Sequence, residues 1–387
     1  MDTAFNPDVF RWARESAGLA LEDAARAIGI VSASLLAMER GEKAPSRTTL
    51  SKMAKAYHRS LLTFYLPAPP RQGDRGEDFR TVGADRTTAA NAEVDALVRD
   101  LRARQRLVRT VLDDDEDMQP LAFIGSARAA DGVAALVKSI EQQLGLTRTE
   151  YRQKKDAGEA FALLRERTEQ AGVFVLLAGN LGSHHSAIPV SAFRGFAIAD
   201  PIAPFIVIND GDAKAAWSFT LLHELAHLWL GATGVSGGVP EMQIERFCNE
   251  VAGAFLLSPM DLQVLQVVGD DLDAQIQQVT VLANRWRVSR QMVAYSLFKT
   301  GRITREVWLR LETGISERWA SERRREKDKS KGSSGPSYYV VRRHRLGHAM
   351  LDFARRYTDA GALSPSKAAK VLGVKPRSVY PLLSLSA

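Results

Sequence analysis

The residues of this chain best suited to chemistry are His223-Glu224-Leu225-Ala226-His227. Histidines at i and i+4 project from one face of a helix about one turn apart, so two imidazole nitrogens can reach one ion. Glu224 sits about 100° round the same helix, placed to take a proton from a zinc-bound water rather than to ligate. A chain of this composition would contain the pattern by chance about 0.015 times. Trp217, Phe219, Leu221, Leu222, Leu225, Leu228, Trp229 and Leu230 make the surrounding segment apolar nearly all round, which predicts a buried helix. Buried imidazoles and a buried carboxylate need a partner, and Zn2+ is the expected one. The plainer alternative is a pair of core histidines satisfied by ordinary hydrogen bonds.

A catalytic zinc takes three protein ligands and keeps one position open. The next helical segment offers Glu241, Glu245 and Glu250. Glu245 follows His227 by 18 residues across a glycine-rich turn, enough to fold one helix back on the other, and is the first choice. Asn249, one turn further on, is expected to steady a ligand by hydrogen bonding. Glu241 lies beside Pro240 at the helix start, where the helix dipole alone favours a carboxylate. His184-His185, in a Gly/Ser loop, is the third option. Pro204–Ile208 reads as a short strand before the zinc helix. As an edge strand it would accept an extended peptide by backbone hydrogen bonds; as an inner strand it would be plain core.

The elements that must hold these groups divide the chain. Helical spacing and glycine stops predict four short helices within residues 1–66, two of them joined by a glycine turn as in a helix-turn-helix. Pro67-Ala68-Pro69-Pro70 opens a spacer over 67–88. Residues 89–315 read as an α+β domain with a helical extension and carry the zinc motif. Residues 316–337, rich in Arg, Lys, Ser and Gly, are expected to be a flexible basic linker, with a nucleic-acid contact at Arg323-Arg324-Arg325 as the lesser reading. Residues 338–387 regain helical periodicity. Segments 283–296 and 364–374 both have a helix-turn-helix flavour, and no internal repeat of fixed period is present. The fold class is therefore multidomain and mainly α.

Several residues together resemble a known family. Phe219-Thr220-Leu221-Leu222-His223-Glu224-Leu225-Ala226-His227, then Glu245-Arg246-Phe247-Cys248-Asn249, Ala252 and Phe255-Leu256-Leu257-Ser258-Pro259, are similar to the ImmA/IrrE metallo-endopeptidases. The resemblance covers roughly residues 160–310. It implies a thermolysin-like zinc core, with His223, His227 and Glu245 as ligands and Glu224 as general base. It also implies a protein substrate, typically a repressor cut in a stress or mobile-element response. Arg14-Glu15-Ser16-Ala17-Gly18-Leu19, Ala24-Ala25, Gly29-Ile30 and Met38-Glu39-Arg40-Gly41-Glu42 with Pro45 resemble the Cro/C1-type helix-turn-helix of XRE regulators. That resemblance implies binding of double-stranded DNA through residues 1–66, the third helix in the major groove. Ser32 and Ser34 at its start are the candidate base contacts, and Arg40, Lys43 and Arg47 the phosphate contacts. The alternatives are a docking or dimerisation module there, and for the whole chain an XRE-type regulator or antitoxin-like repressor whose zinc domain is sensory or structural. Such regulators commonly form homodimers.

Composition narrows the remaining classes. The 387 residues are 45% hydrophobic and 25% charged, ordinary for a globular protein of two or three domains. The single cysteine, Cys248, excludes a disulfide framework, an iron–sulfur cluster and an all-cysteine zinc site, and suits a reducing cytoplasm. Residues 1–10 lack the apolar run of a signal peptide, and no stretch of about 18 apolar residues predicts a membrane span. A net charge of +7 is only weakly suggestive of nucleic acid.

Overall fold

The computed structural model describes residues 5–70, 88–182, 186–232, 239–263, 267–330 and 337–384. The chain forms two compact units. One contains Met1–Ala103 and Asn180–Phe193; the other contains Arg104–Gly179, Arg194–Gly234 and Gly238–Ala387. Among the described residues there are seventeen α-helices and one three-stranded sheet, so the protein is multidomain and mainly α.

The first unit opens with α1 (Pro7–Glu15), α2 (Leu21–Ile28), α3 (Ser32–Glu39) and α4 (Arg47–Ala56). Asn6 caps α1 and Ser46 caps α4 through their side-chain oxygens. Gly29, in the left-handed conformation, ends α2 and turns the chain into α3. Phe10, Ile28, Leu35, Met53, Tyr57 and Phe64 close one buried core. Across it the buried Glu39 accepts from both Nε and Nη2 of Arg14 at 2.7 and 3.0 Å. Arg14 also donates to the Leu19 carbonyl, so one guanidinium ties α1 to α3 and to the loop before α2.

After α5 (Thr88–Asp113), the second unit continues with α6 (Val133–Leu144), α7 (Arg148–Arg152) and α8 (Ala157–Gln170). The sheet follows: β1 (Phe174–Leu177), β2 (Gly195–Ile198) and β3 (Phe205–Ile208). Its order is β1-β3-β2, with β3 parallel to β1 and antiparallel to β2. The run at 204–208 is thus the central strand. Both its edges are hydrogen-bonded, all four residues are buried, and no peptide can add to it. Then come α9 (Lys214–Trp229), α10 (Val239–Leu256), α11 (Pro259–Gln263), α12 (Leu272–Trp286), α13 (Arg290–Lys299), α14 (Arg305–Ser330), α15 (Tyr338–Asp359), α16 (Pro365–Leu372) and α17 (Val379–Ser384).

Helix α14 corrects the expected linker, because the backbone is helical through Ser330. Arg, Lys and Glu are strong helix formers, and few apolar positions suffice to dock such a helix. Leu311 and Ile315 are buried in the main core, and Trp308 stacks on Phe298 at 5.0 Å. Gly314 lets α14 approach Ile276, whose Cδ1 would lie 2.8 Å from a Cβ there. Glu322 pairs with Arg290, and Arg318 with Asp273.

Candidate metal centre

Helix α9 is buried on almost every side, as its apolar sequence predicts. Its carboxy-terminal carbonyls, orphaned by helix geometry, are taken by a neighbouring loop: Gly125 N–H donates to Leu228 and Ala127 N–H to Trp229, each at 2.9 Å. Phe123 stacks on the Trp229 ring at 4.4 Å, and Trp229 Nε1 donates to Ser139. These bonds fix the rotation of α9 and therefore where its histidines point.

Helix α10 packs against α9 through Cys248, Val251, Ala252 and Phe255, all buried. Its far end is held by α7. Arg148 donates to the Phe255 and Ala254 carbonyls, and Arg152 to the Leu256 carbonyl and both oxygens of Asp261. Arg152 and Ser258 outweigh the burial of Asp261 and hold its carboxyl down at about 2.

The two helices bring three ligand-type groups together. His223 Nε2 lies 3.2 Å from Glu245 Oε2, His227 Nε2 lies 3.2 Å from Glu245 Oε1, and the two Nε2 atoms are 3.1 Å apart. Two ligands of a tetrahedral zinc stand about 3.3 Å apart, close to the spacing of the two Nε2 atoms, and each Nε2 faces its own oxygen of the Glu245 carboxylate. Two imidazoles and a carboxylate are also a suitable donor set, and the group could hold a metal ion. Its electrostatics agree. Burial disfavours a charged His227, yet the Cys248 thiol and Glu245 outweigh it and push its pKa up to about 11. Burial also works against ionised Glu245, yet His223 and His227 hold its carboxyl well below the usual range. The cluster thus draws positive charge to itself.

Glu224 is 6% exposed, and burial pushes its carboxyl up, against the opposing pull of His223 and His227. The strand beside it is β2. A Cβ on Gly195 would lie 2.5 Å from Thr220 Cγ2 and 3.0 Å from Glu224 Oε1, so only glycine lets the strand pass this close to α9. Gly195 was not singled out from sequence, because its need arises from a helix that follows 19 residues later in the chain.

The other candidates fare differently. Asn249 and Glu250 are exposed, and no hydrogen bond among the described residues joins Asn249 to the three groups. The tilt of α10 turns Cys248 inward instead, beside His227. His184 and His185, and the side chain of Glu241, lie outside what is described. In the first unit Ser32 and Ser34 open α3 and are half-buried, while Arg40, Lys43 and Arg47 are exposed beyond its end. Lys43 Nζ donates to Ser34 Oγ at 3.4 Å, which brings those two together.

Two segments of the chain match protein-family models. Residues 10–64 match the family model for a helix-turn-helix domain, and residues 171–298 match that for the IrrE N-terminal-like domain. Comparison with curated proteins and with solved structures gives no match. The second matched segment runs from β1 to α13 and contains all three clustered groups and Glu224. The chain thus joins a segment similar to helix-turn-helix domains of the DNA-binding type to a metallopeptidase-like segment similar to the IrrE N-terminal-like domain.

Proposed function

We propose that the protein is a zinc-dependent endopeptidase that cuts a regulatory protein, a repressor by preference, and that its helix-turn-helix brings it to DNA. The observation that carries the reading is the convergence of His223 Nε2, His227 Nε2 and the Glu245 carboxylate on one point. His223, His227 and Glu245 would hold the zinc, leaving one position open. When bound there, zinc supplies Lewis acidity toward a peptide carbonyl and toward water. Glu224 takes a proton from the water that attacks the carbonyl carbon. It then gives that proton to the amine as the C–N bond breaks, so the carboxylate ends unchanged. Its buried setting keeps bulk water from competing for the proton. In the first unit, Ser32 and Ser34 would face base edges and Arg40, Lys43 and Arg47 the phosphates.

Two measurements on the intact chain test this. Elemental analysis should find about one zinc per chain in the wild type and in Glu224→Gln, and almost none in Glu245→Ala. Sequencing of newly formed protein amino termini in cells should then find cleavage products with the wild type that are missing with Glu224→Gln. Zinc retained with no Glu224-dependent cleavage would leave a DNA-binding regulator whose metal is sensory or structural.

A further inference from the structure

The turn that joins α2 to α3 occurs a second time, near the end of the chain. Ala24-Ala25-Arg26-Ala27-Ile28-Gly29-Ile30 leads to Ser34-Leu35; by the same spacing Ala368-Ala369-Lys370-Val371-Leu372-Gly373-Val374 leads to Ser378-Val379. The backbones agree. Gly29 has φ 74° and ψ 45°, and Gly373 has φ 59° and ψ 40°. Ile30 N–H donates to the Ala25 carbonyl at 3.0 Å, and Val374 N–H to the Ala369 carbonyl at 2.9 Å. Ser34 N–H donates to Val31 and Ser378 N–H to Lys375, at 3.0 and 2.8 Å. Ala24, Ala25, Ile28 and Leu35 are buried, and so are Ala368, Ala369, Leu372 and Val379. Helix α15, kinked at Gly347, packs against both α16 and α17, and its Met350 and Tyr357 are buried.

Charge separates the two copies. Residues 338–387 hold six arginines and three lysines against Asp352 and Asp359, a net +7 that equals the net charge of the whole chain. The five arginines of α15 are engaged. Arg342, Arg343 and Arg355 donate to carbonyls at the ends of α16 and α17, Arg345 pairs with Asp210, and Arg356 with Asp115. The other four, Lys367, Lys370, Lys375 and Arg377, are exposed, and no carboxylate among the described residues pairs with them. Lys367 and Lys370 share the outer face of α16. Lys375 and Arg377 stand where the first copy has Val31 and Ala33, just ahead of the second helix, with Tyr380 59% exposed beside them. Four uncompensated cations on a helix-turn-helix carry the charge that attracts a phosphate backbone, and an arginine at that point can bond both acceptors of guanine.

We propose that α15, α16 and α17 form a second surface for double-stranded DNA, with Lys367, Lys370 and Lys375 on phosphates and Arg377 at base edges. The test is the affinity of the intact protein for a short labelled duplex across a salt series, read by fluorescence anisotropy. Replacing all four cations by Ala should flatten the slope of log affinity against log salt by about 3, at roughly one for each of the three phosphates no longer neutralised. Replacing Arg40, Lys43 and Arg47 by Ala should leave the contribution of the second surface in place. Lys375→Glu alone should weaken binding more than Lys375→Ala, and all these exposed changes should leave the melting temperature unaltered. A quadruple variant with the wild-type slope and affinity would overturn the assignment. So would a wild type that ignores duplex DNA but binds polyglutamate, which would mark an acidic protein as the partner. DNA affinity is read without any peptide cleavage, so this outcome and that of the peptidase test are separate.

Discussion

At His223, His227 and Glu245 the electrostatics of the cluster would make the proposed metal binding depend on pH. Despite its burial, His227 is pushed up by the Cys248 thiol and Glu245, so a proton on its imidazole would compete with the proposed metal. Binding must displace that proton, and the sign follows: affinity rises with pH until the imidazole is neutral of its own accord. Competition with a chelating dye should show apparent zinc affinity falling about tenfold for each unit of pH lowered, per proton displaced. A flat profile from pH 6 to 8 would mean that no proton leaves. Gly195 is a second residue-scale test. Gly195→Ala pushes a methyl group into Thr220 and Glu224 and should slow Glu224-dependent cleavage by about 10–100-fold while zinc content holds. Adding Thr220→Ser removes the Cγ2 that the new methyl meets, and should restore part of the rate.

The elements are held at their ends. Arg148 and Arg152 take the last carbonyls of α10, and Asp261 locks Arg152 in place. A carboxyl lowered from 3.8 to about 2 adds stability above its ordinary value and loses it as the pH falls through the folded one. Asp261→Asn should therefore lower the melting temperature at pH 7 by about 2–8 °C, with a shrinking difference between pH 5 and pH 2. A constant difference across that window would rule out the ion pair as the cause. Gly347 is the corresponding point in α15. Its φ of 79° suits glycine, and a Cβ there would overlap Glu169 Oε1. The Glu169 carboxylate accepts from His348 N–H at 2.9 Å while pairing with Arg165, which also donates to the His344 carbonyl. Gly347→Ala should cost about 1–3 kcal/mol through the strained backbone, more if Glu169 is displaced, seen as an earlier thermal transition.

On the scale of the molecule, each unit carries its own buried cluster, one around Phe10, Leu35 and Phe64 and one around the sheet and α9. A cavity in one should leave the chemistry of the other intact. Leu35→Ala should destabilise the helix-turn-helix by about 2–5 kcal/mol and weaken DNA binding on warming, with zinc content unchanged. Zinc lost in that variant would show that the site depends on the first unit. Among the described residues no helix is long and apolar enough to cross a membrane.

Much of this was determined by sequence alone. A helix sets its faces by spacing within about a turn, so His223, Glu224 and His227 were legible from five consecutive residues. The helix-turn-helix of residues 10–64 was legible for the same reason, its glycine turn and alanine pair being local. The strands too were visible as apolar runs, but not their order: partners lie far apart in the chain, and only the tertiary structure made Phe205–Ile208 central and β2 the strand beside Glu224. Likewise Glu245, Cys248 and Asn249 lie within about one turn of one helix, and the tilt set by Arg148, Arg152 and the packing on α9 decided that Cys248 points inward and Asn249 outward. Charge density misled at residues 316–330, where Leu311 and Ile315 dock a helix that composition reads as linker. Contacts between residues remote in sequence carry that information, and local composition does not.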